Sequence, residues 1–551
     1  MLQRLGNRLS KSGSLHVLVV STVVSTTRRG GQTLRAKIEL ESETHETERS
    51  LKQANNVTFG NVLEAPFNKE GLRSPEPDDE LKHLKLILHN AVIAQKRFST
   101  YTQVQVHEIF KAAAAAACAQ RVPLAIMAVE ETKMGVVEDK VIKNHFASEF
   151  IYNKYKNQKT CDVIEVDSAG GIVPTTNPTS TAIFKALLTL KTRNALILCP
   201  HPRATKATIA AAKIVLVAAV AAGAPPGIIS WVDHPSMVAA GAPPGIISWV
   251  DHPSMVVSQA LMQAPEISLI LATGGPAMVK AAYSSGHPSV GVGAGNTPAV
   301  IDETANIQMA VSSILLSKTF DNGVICASEQ SVVVHDQVYE DVKAEFTRRG
   351  ADFLTKEEKA RVRSKIVVEG RLNASIVGQS VQKLAQIFGI TVPPWTRVII
   401  GEIGMIGKEE PLSEEKLCSV LGMYRAADYD SAVDMADRLV RFAGPGHTSV
   451  LYTNPLNRDH IDRFGSVVKT VRVLINKPAS QGAIGDLYNF HLDPSLTLGC
   501  GTWGSTSVFS NVGPMNLLNI KSVTERRENM QFRVPPKIYF KGGCLETALM
   551  D

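Results

Sequence analysis

Apolar positions recur with two periods along the chain from residue 81 onward. Leu81, Leu84, Leu88 and Val92 are spaced for one face of a helix, and alanine-rich Lys111 to Ala119 continues the helical reading. Ala182 to Thr192 and Lys206 to Val220 also read as helices. Between and after them lie short, continuous apolar runs with the length of buried strands: Ala195-Leu-Ile-Leu-Cys199, Ile228-Ile-Ser-Trp-Val232, Ser268-Leu-Ile-Leu-Ala272 and Ser331-Val-Val-Val-His335. Strands alternating with helices predict an α/β fold with a parallel sheet covered on both faces, for which a dinucleotide domain is the natural expectation. Before residue 81 the pattern is lost. Leu51 to Glu80 is polar and carries Pro66, Pro75, Pro77 and the acidic run Asp78-Asp-Glu80, which predicts a mobile linker.

One segment interrupts the alternation. Ala221 to Val238 recurs without a change as Ala239 to Val256. Two perfect copies do not make a solenoid, whose units diverge and stack in larger number. Identity at every position instead suggests a recent in-frame duplication or a sequence-assembly error. One copy is expected to supply the strand and the other to be extruded, carrying an exposed Trp231 or Trp249.

Charge changes the picture only at the amino terminus. Of 58 basic and 52 acidic residues, seven basic (Arg4, Arg8, Lys11, Arg28, Arg29, Arg35, Lys37) and one acidic (Glu39) lie in the first 40, so the remainder balances at 51 to 51. That leaves no basic footprint for a nucleic acid. The leader places Leu2, Leu5 and Leu9 at helical spacing beside Arg4, Arg8 and Lys11 and reads as an organelle transit peptide, mitochondrial or plastid, with a secretory segment as the alternative. The apolar run Leu15 to Val24 is too short to span a bilayer, and no membrane partner is expected. The seven cysteines are scattered without a close pair, so the spacing offers neither a zinc set nor a disulfide framework.

Candidate chemistry centres on Cys326. Asp321-Asn-Gly323 is strong turn chemistry and Ser331 to His335 is a β-branched strand, so Cys326 is expected where loop meets sheet. A thiol there is either a nucleophile or a small buried hydrophobe.

Lys318-Thr-Phe-Asp-Asn-Gly-Val-Ile-Cys-Ala-Ser-Glu-Gln330 resembles the active-site segment of the CoA-acylating aldehyde dehydrogenases. The resemblance is to the aldehyde dehydrogenase half of the bifunctional aldehyde-alcohol dehydrogenases and runs, with two breaks, from about Glu80 to the C-terminus. It implies an aldehyde dehydrogenase-like α/β fold with an NAD-binding domain over 81–305, a catalytic thiol domain over 306–465, and a segment 466–551 returning to the NAD-binding domain and an oligomer interface. It also assigns residues. Cys326 is the nucleophile, and Asn177, in Thr175-Thr-Asn-Pro-Thr-Ser180, forms the oxyanion site with the Cys326 N–H. His447, in Gly446-His-Thr-Ser449, stands near the substrate and CoA side. The loop His201, Pro202, Arg203 is assigned to adenosine ribose, Thr273, Gly274, Gly275 to the pyrophosphate at a helix N-terminus, and Glu415 to the nicotinamide ribose. Taken as isolated residues, Asn177 is a turn signal, Glu415 a solvated helix carboxylate and His447 a structural histidine.

Water-using aldehyde dehydrogenases carry a glutamate base in Glu-Leu-Gly-Gly-Lys, where this chain has Val292-Gly-Ala-Gly-Asn296 and no glutamate between Ser289 and Pro298. A thiol acceptor of pKa about 8.5 needs far less base than water does, so CoA is the implied acceptor. Gly291, Gly293 and Gly295 mimic a phosphate-binding fingerprint, but Thr297-Pro-Ala-Val-Ile301 follows them instead of a helix.

Two departures qualify the resemblance. Cys161 to Gly170 runs straight into Gly171-Ile-Val-Pro174, without the Glu-Pro-x-Gly stretch that helps form the oligomerisation hairpin in related enzymes. A strand is expected to be lost there, and with it the homo-oligomer and the aim of Asn177 come into question. The resemblance also stops after Lys537 to Gly542, where bifunctional enzymes continue into an iron-dependent alcohol dehydrogenase. The expected function is NAD-dependent interconversion of acetaldehyde and acetyl-CoA, with an inactive relative serving as an assembly or NAD-binding subunit as the alternative. No metal is expected. The expected destination is an organelle, with the cytoplasm as the alternative.

Overall fold

The computed structural model describes residues 77–161, 171–175, 178–225, 228–229, 248–249, 255–485 and 492–519. The leader, most of the linker and the stretch 162–170 lie outside them, as do Asn177 and the residues after 519. The first helix, Pro77–Phe98, begins four residues before the periodic leucines do. Pro77 at its first position loses only an N–H that has no helical partner anyway. Helix Gln103–Ala119 starts in a capping box between Thr102 and Gln105, and helix Arg121–Thr132 follows a break at Gln120. Among the described residues no single helix is long and apolar enough to cross a membrane.

The apolar runs assemble into two parallel sheets. In the first, β1 (Gly171–Thr175), β2 (Leu196–Pro200), β3 (Ser248–Trp249), β4 (Leu269–Thr273) and β5 (Ser289–Val292) take the order β3-β2-β1-β4-β5. β1 is formed at its centre, pairing with β2 along its whole length but with β4 only at Gly171 and Ile172. Pro174, which cannot donate to a ladder, therefore falls where β1 has left β4.

The duplicated segment corrects an expectation. Among the described residues, both copies contribute to the strand's place beside β2. Ile229, from the first copy, bridges Leu196, while Ser248 and Trp249, from the second, pair with Ile197 and Leu198. The slot beside β2 thus reads Ile228, Ile229, Ser248, Trp249, the order of residues within a single copy. Residues 230–247, one repeat length, intervene.

The second sheet holds β6 (Thr297–Ile301), β7 (Glu329–His335), β8 (Ala351–Phe353), β11 (Val398–Glu402), β12 (Val420–Ala426), β13 (Gly446–Tyr452) and β14 (Thr470–Ile475), in the order β14-β13-β6-β7-β12-β11-β8. A small antiparallel pair, β9 (Val367–Val368) and β10 (Arg371–Leu372), lies apart from it. β6, ahead of residue 305, pairs into the second sheet, and β14, beyond residue 466, is its edge strand. Side chains alternate between the two faces. Ala299, Ile301, Val332, Val334, Val398 and Ile400 join the core that also encloses the first sheet, whereas Val300, Val333, Ile399 and Tyr424 join a separate one. Burial on both faces explains why these strands read as continuous apolar runs.

Candidate active site

Cys326 lies between helix Ile307–Thr319 and β7, after a tight turn at Phe320–Gly323. Asp321, Asn322 and Gly323 have φ of 51°, 55° and 75°, the left-handed region that costs side-chain-bearing residues about 1 kcal/mol or more each. A buried clamp offsets that strain. The Asp321 carboxylate accepts from Lys143 Nζ at 2.7 Å, Lys140 Nζ at 3.0 Å and the Val136 N–H at 2.9 Å, and its own N–H donates to Asp139 at 2.7 Å. Burial alone would raise the Asp321 carboxyl, but the two lysines hold it below its ordinary value. Gly323 is also required for space, since a Cβ there would stand 2.9 Å from the Cys418 carbonyl oxygen.

The Cys326 residue is half-buried, yet the packing around its sulfur, with the Glu415 and Cys500 side chains nearby, pushes the thiol up to about 12. Glu415, also half-buried, accepts from the Gly295 N–H at 3.0 Å, and burial raises its carboxyl to about 7. A Cβ on Gly295 would lie 2.2 Å from the Cys326 carbonyl oxygen and 3.1 Å from the His447 ring. The glycines resembling a phosphate fingerprint thus have another use here: Gly295 lets the connector from β5 to β6 back directly onto the nucleophile.

His447 is fully buried at the start of β13. Burial, then the nearby Arg472, lowers its pKa to about 3, so the ring is neutral; Nδ1 meets Thr448 Oγ1 at 2.9 Å and Nε2 has no hydrogen-bond partner. Arg472 holds this corner together, donating to the His447 carbonyl at 2.9 Å and to Asn511 Oδ1 at 2.8 Å. Beneath Glu415, Lys318 Nζ and the Lys416 N–H both donate to Gln330 Oε1, at 3.1 Å and 3.0 Å. All of this lies at the N-terminal edge of the second sheet, at the starts of β6, β7, β12 and β13.

The other expected cofactor residues, apart from Glu415, lie at the C-terminal edge of the first sheet. His201 precedes the short turn Pro202–Ala204, its Nδ1 accepting from the Arg203 N–H at 3.2 Å, and Arg203 donates to the Ala374 carbonyl at 3.2 Å. Thr273 ends β4, and Gly275 caps helix Pro276–Tyr283, exposed and with no atom within 4 Å of where a Cβ would stand. The Gly274 N–H points to the Val292 carbonyl at 3.5 Å, three residues before Gly295. Cys326, Glu415 and His447 are thus brought together, with Thr273 to Gly275 reaching them through a four-residue connector. Asn177 lies outside the described residues; the helix that follows it, Pro178–Lys191, is tied by Thr179 Oγ1 to Asn144 Oδ1 at 2.8 Å.

Several residues escaped the sequence reading. Lys185 is fully buried and donates to Leu271 O and Thr273 Oγ1, each at 3.2 Å. Its signal was a lone lysine inside an apolar helix. Lys140 and Lys143 read as an ordinary solvated helix face, and Arg472 as a strand cation; nothing local marks them as buried.

The aldehyde dehydrogenase family description matches residues 77–361. The bifunctional aldehyde-alcohol dehydrogenase of Escherichia coli strain K12 is 54% identical over 481 residues, 85% of this chain and 52% of that one. The aldehyde-alcohol dehydrogenase of Clostridium acetobutylicum is 54% identical over 491 residues, 86% of this chain and 54% of that one. The chain spans about half the length of these curated relatives. Among solved structures, an acetylating aldehyde dehydrogenase from Geobacillus thermoglucosidasius superposes with a TM-score of 0.74 at 40% identity, covering 82% of this chain and 99% of that one. With a thiol, a carboxyl and a neutral imidazole gathered where two parallel sheets meet, and with these relatives across the same residues, the chain belongs to the aldehyde dehydrogenase family.

Proposed function

We propose that the chain is an NAD-dependent, CoA-acylating aldehyde dehydrogenase that interconverts acetaldehyde and acetyl-CoA through a thioester on Cys326. One observation carries this reading: Gly295 touches the Cys326 backbone, the Glu415 carboxyl and the His447 ring at once. The nucleophile's surroundings are therefore continuous, through Val292, with the exposed glycine turn at Thr273 to Gly275. That turn opens an eight-residue helix with open space beside Gly275, which fits a dinucleotide phosphate. Thr273 to Gly275 and the His201 to Arg203 loop would hold NAD, which when bound supplies the hydride acceptor.

The remaining work falls to the chain's own residues. Cys326 adds to the aldehyde carbon to give a thiohemiacetal, and its acyl product is a thioester. The Cys326 N–H and Asn177 would donate to the oxyanion. Cys326 is protonated at rest, so its proton must leave as the carbon–sulfur bond forms. Glu415, ionised above about pH 7, is the carboxylate beside it. The rate should rise with pH through that value, and Glu415→Gln should flatten the rise. The neutral His447, with Nε2 unpartnered, offers a hydrogen bond on the acyl side. No carboxylate stands on the Gly293 to Asn296 connector to activate water, which favours CoA as acceptor.

The test follows NADH absorbance with acetaldehyde and NAD, adding CoA last. A CoA-dependent rise is expected, and Cys326→Ala should abolish it while NAD still binds. NAD binding without turnover would return the inactive-relative reading, and acid release without CoA would indicate a water-using enzyme. Import into an organelle and assembly as a homo-oligomer belong to the same proposal; cell fractionation and sedimentation test them.

A further inference from the structure

Away from the active site, Cys118, His145 and Glu149 converge from two helical segments. Cys118 is near the end of helix Gln103–Ala119, His145 ends helix Val137–His145, and Glu149 lies in the single π-helical turn Phe146–Phe150 that follows. Such turns insert one residue into a helix and re-aim its side chains. Here His145 Nδ1 and Glu149 Oε2 both face the Cys118 sulfur. The three donor atoms form a triangle with Sγ–Nδ1 3.7 Å, Sγ–Oε2 3.5 Å and Nδ1–Oε2 3.4 Å.

Those edges can be compared with a metal's requirements. A tetrahedral zinc ion with bonds of about 2.3 Å to sulfur, 2.0–2.1 Å to nitrogen and 2.0–2.2 Å to oxygen spaces its ligands about 3.6, 3.5 and 3.3 Å apart. The observed triangle is one face of that tetrahedron, with the fourth position left for water. The donor set, one soft thiolate, one imidazole and one carboxylate, is also one that zinc accepts. Cys118 is buried, whereas the His145 and Glu149 side chains are 36% and 49% exposed, so an ion can enter from solvent. Arg121 Nη1 anchors the cysteine from behind, 2.8 Å from its carbonyl and 3.8 Å from its sulfur. The second acid–histidine group, at the far edge of the second sheet, fails this comparison. Asp302 and His460 there are in direct hydrogen bond at 2.7 Å, too close for an ion between them.

We propose that Cys118, His145 and Glu149 form a binding site for a thiophilic divalent cation, zinc above all. On binding, the Cys118 thiol releases its proton to solvent and the sulfur bonds the metal; no electron is transferred. The sequence hid the site because its ligands come from separate helices. The site is also coupled to the nucleophile's turn through one helix, since Val137–His145 carries the Lys140 and Lys143 that grip Asp321.

Cobalt(II) titration of the full chain tests the proposal, in a Cys326→Ala background so that the active-site thiol is silent. One equivalent should give a thiolate-to-cobalt charge-transfer band and the intense visible bands of a tetrahedral centre, both displaced by zinc. Cys118→Ser should remove the charge-transfer band, and His145→Gln and the more exposed Glu149→Gln should each weaken binding on the order of tenfold or more. If Cys118→Ser fails to fold, the two exposed-ligand variants still decide. Absence of the band in the folded Cys326→Ala chain, or affinity unchanged in both His145→Gln and Glu149→Gln, would overturn the proposal.

Discussion

Gly295 has no room for a side chain beside the nucleophile, with the Cys326 carbonyl and the His447 ring on the side where a Cβ would grow. Gly295→Ala must displace one of them, and a shift of about 1 Å at a reacting group can cost on the order of a hundredfold in rate. We expect kcat to fall by that order and the melting temperature to fall with it, since overpacking against backbone costs about 1–3 kcal/mol; unaltered kinetics would show that the contact positions nothing. Cys326 itself, held near 12 by burial and its acidic neighbour, is a thiol at neutral pH. Its alkylation by iodoacetamide should therefore rise roughly tenfold per pH unit between 7 and 10 without levelling, the behaviour of a raised thiol pKa. A plateau near neutrality would mean that the free enzyme stores a thiolate. The cysteine and its turn were legible in the sequence because Asp321-Asn-Gly323 is a local signal. The clamp from Lys140 and Lys143 was not, since 178 residues separate Lys143 from its partner.

At the scale of elements, helix Val137–His145 holds the turn before Cys326 through buried ion pairs. Removing the carboxylate with Asp321→Ala takes away the partner that the two buried lysines share, an effect of up to about 3–5 kcal/mol. A marked fall in the urea midpoint is expected, and near-neutral behaviour would show that the lysines find water instead. The same pairs set an acid limit. Because the folded Asp321 pKa lies below its unfolded value, its contribution is complete above about pH 4 and is lost as pH falls through the folded value. Asp321→Asn should therefore reduce the loss of stability on acidification below pH 4. The duplicated strand yields another expectation. Deleting residues 230–247 joins Ile229 to Ser248 in the register both already hold beside β2. Removing the closure entropy of the eighteen intervening residues should stabilise the fold by about 2–3 kcal/mol. A shortened chain that unfolds earlier would mean that the second copy has a structural role of its own.

For the whole molecule, the charge is divided unevenly: the first 40 residues carry the entire +6 excess and the rest is balanced. The full chain should bind a cation exchanger at neutral pH and a chain beginning at Glu41, whose charges balance, should elute much earlier, since retention follows the excess charge. Equal retention would locate a basic patch on the folded surface instead. Most of the element pattern was readable because buried parallel strands and alanine-rich helices leave continuous, local hydrophobic signals. The turn ahead of Cys326 was readable for the same reason, its chemistry being written in adjacent residues. Sheet membership was not, because β6 and β14 look like any other apolar run, and only packing decides which ladder they join. The sequence by itself determined the alternation of elements, the nucleophile's turn and the charge of the first 40 residues. Tertiary structure alone decided that Gly295, Glu415 and His447 meet Cys326, that Asp321 is gripped by two lysines, and that one strand is shared between two repeats. Those contacts join residues distant along the chain, and no period or spacing encodes the distance between groups that only folding brings together.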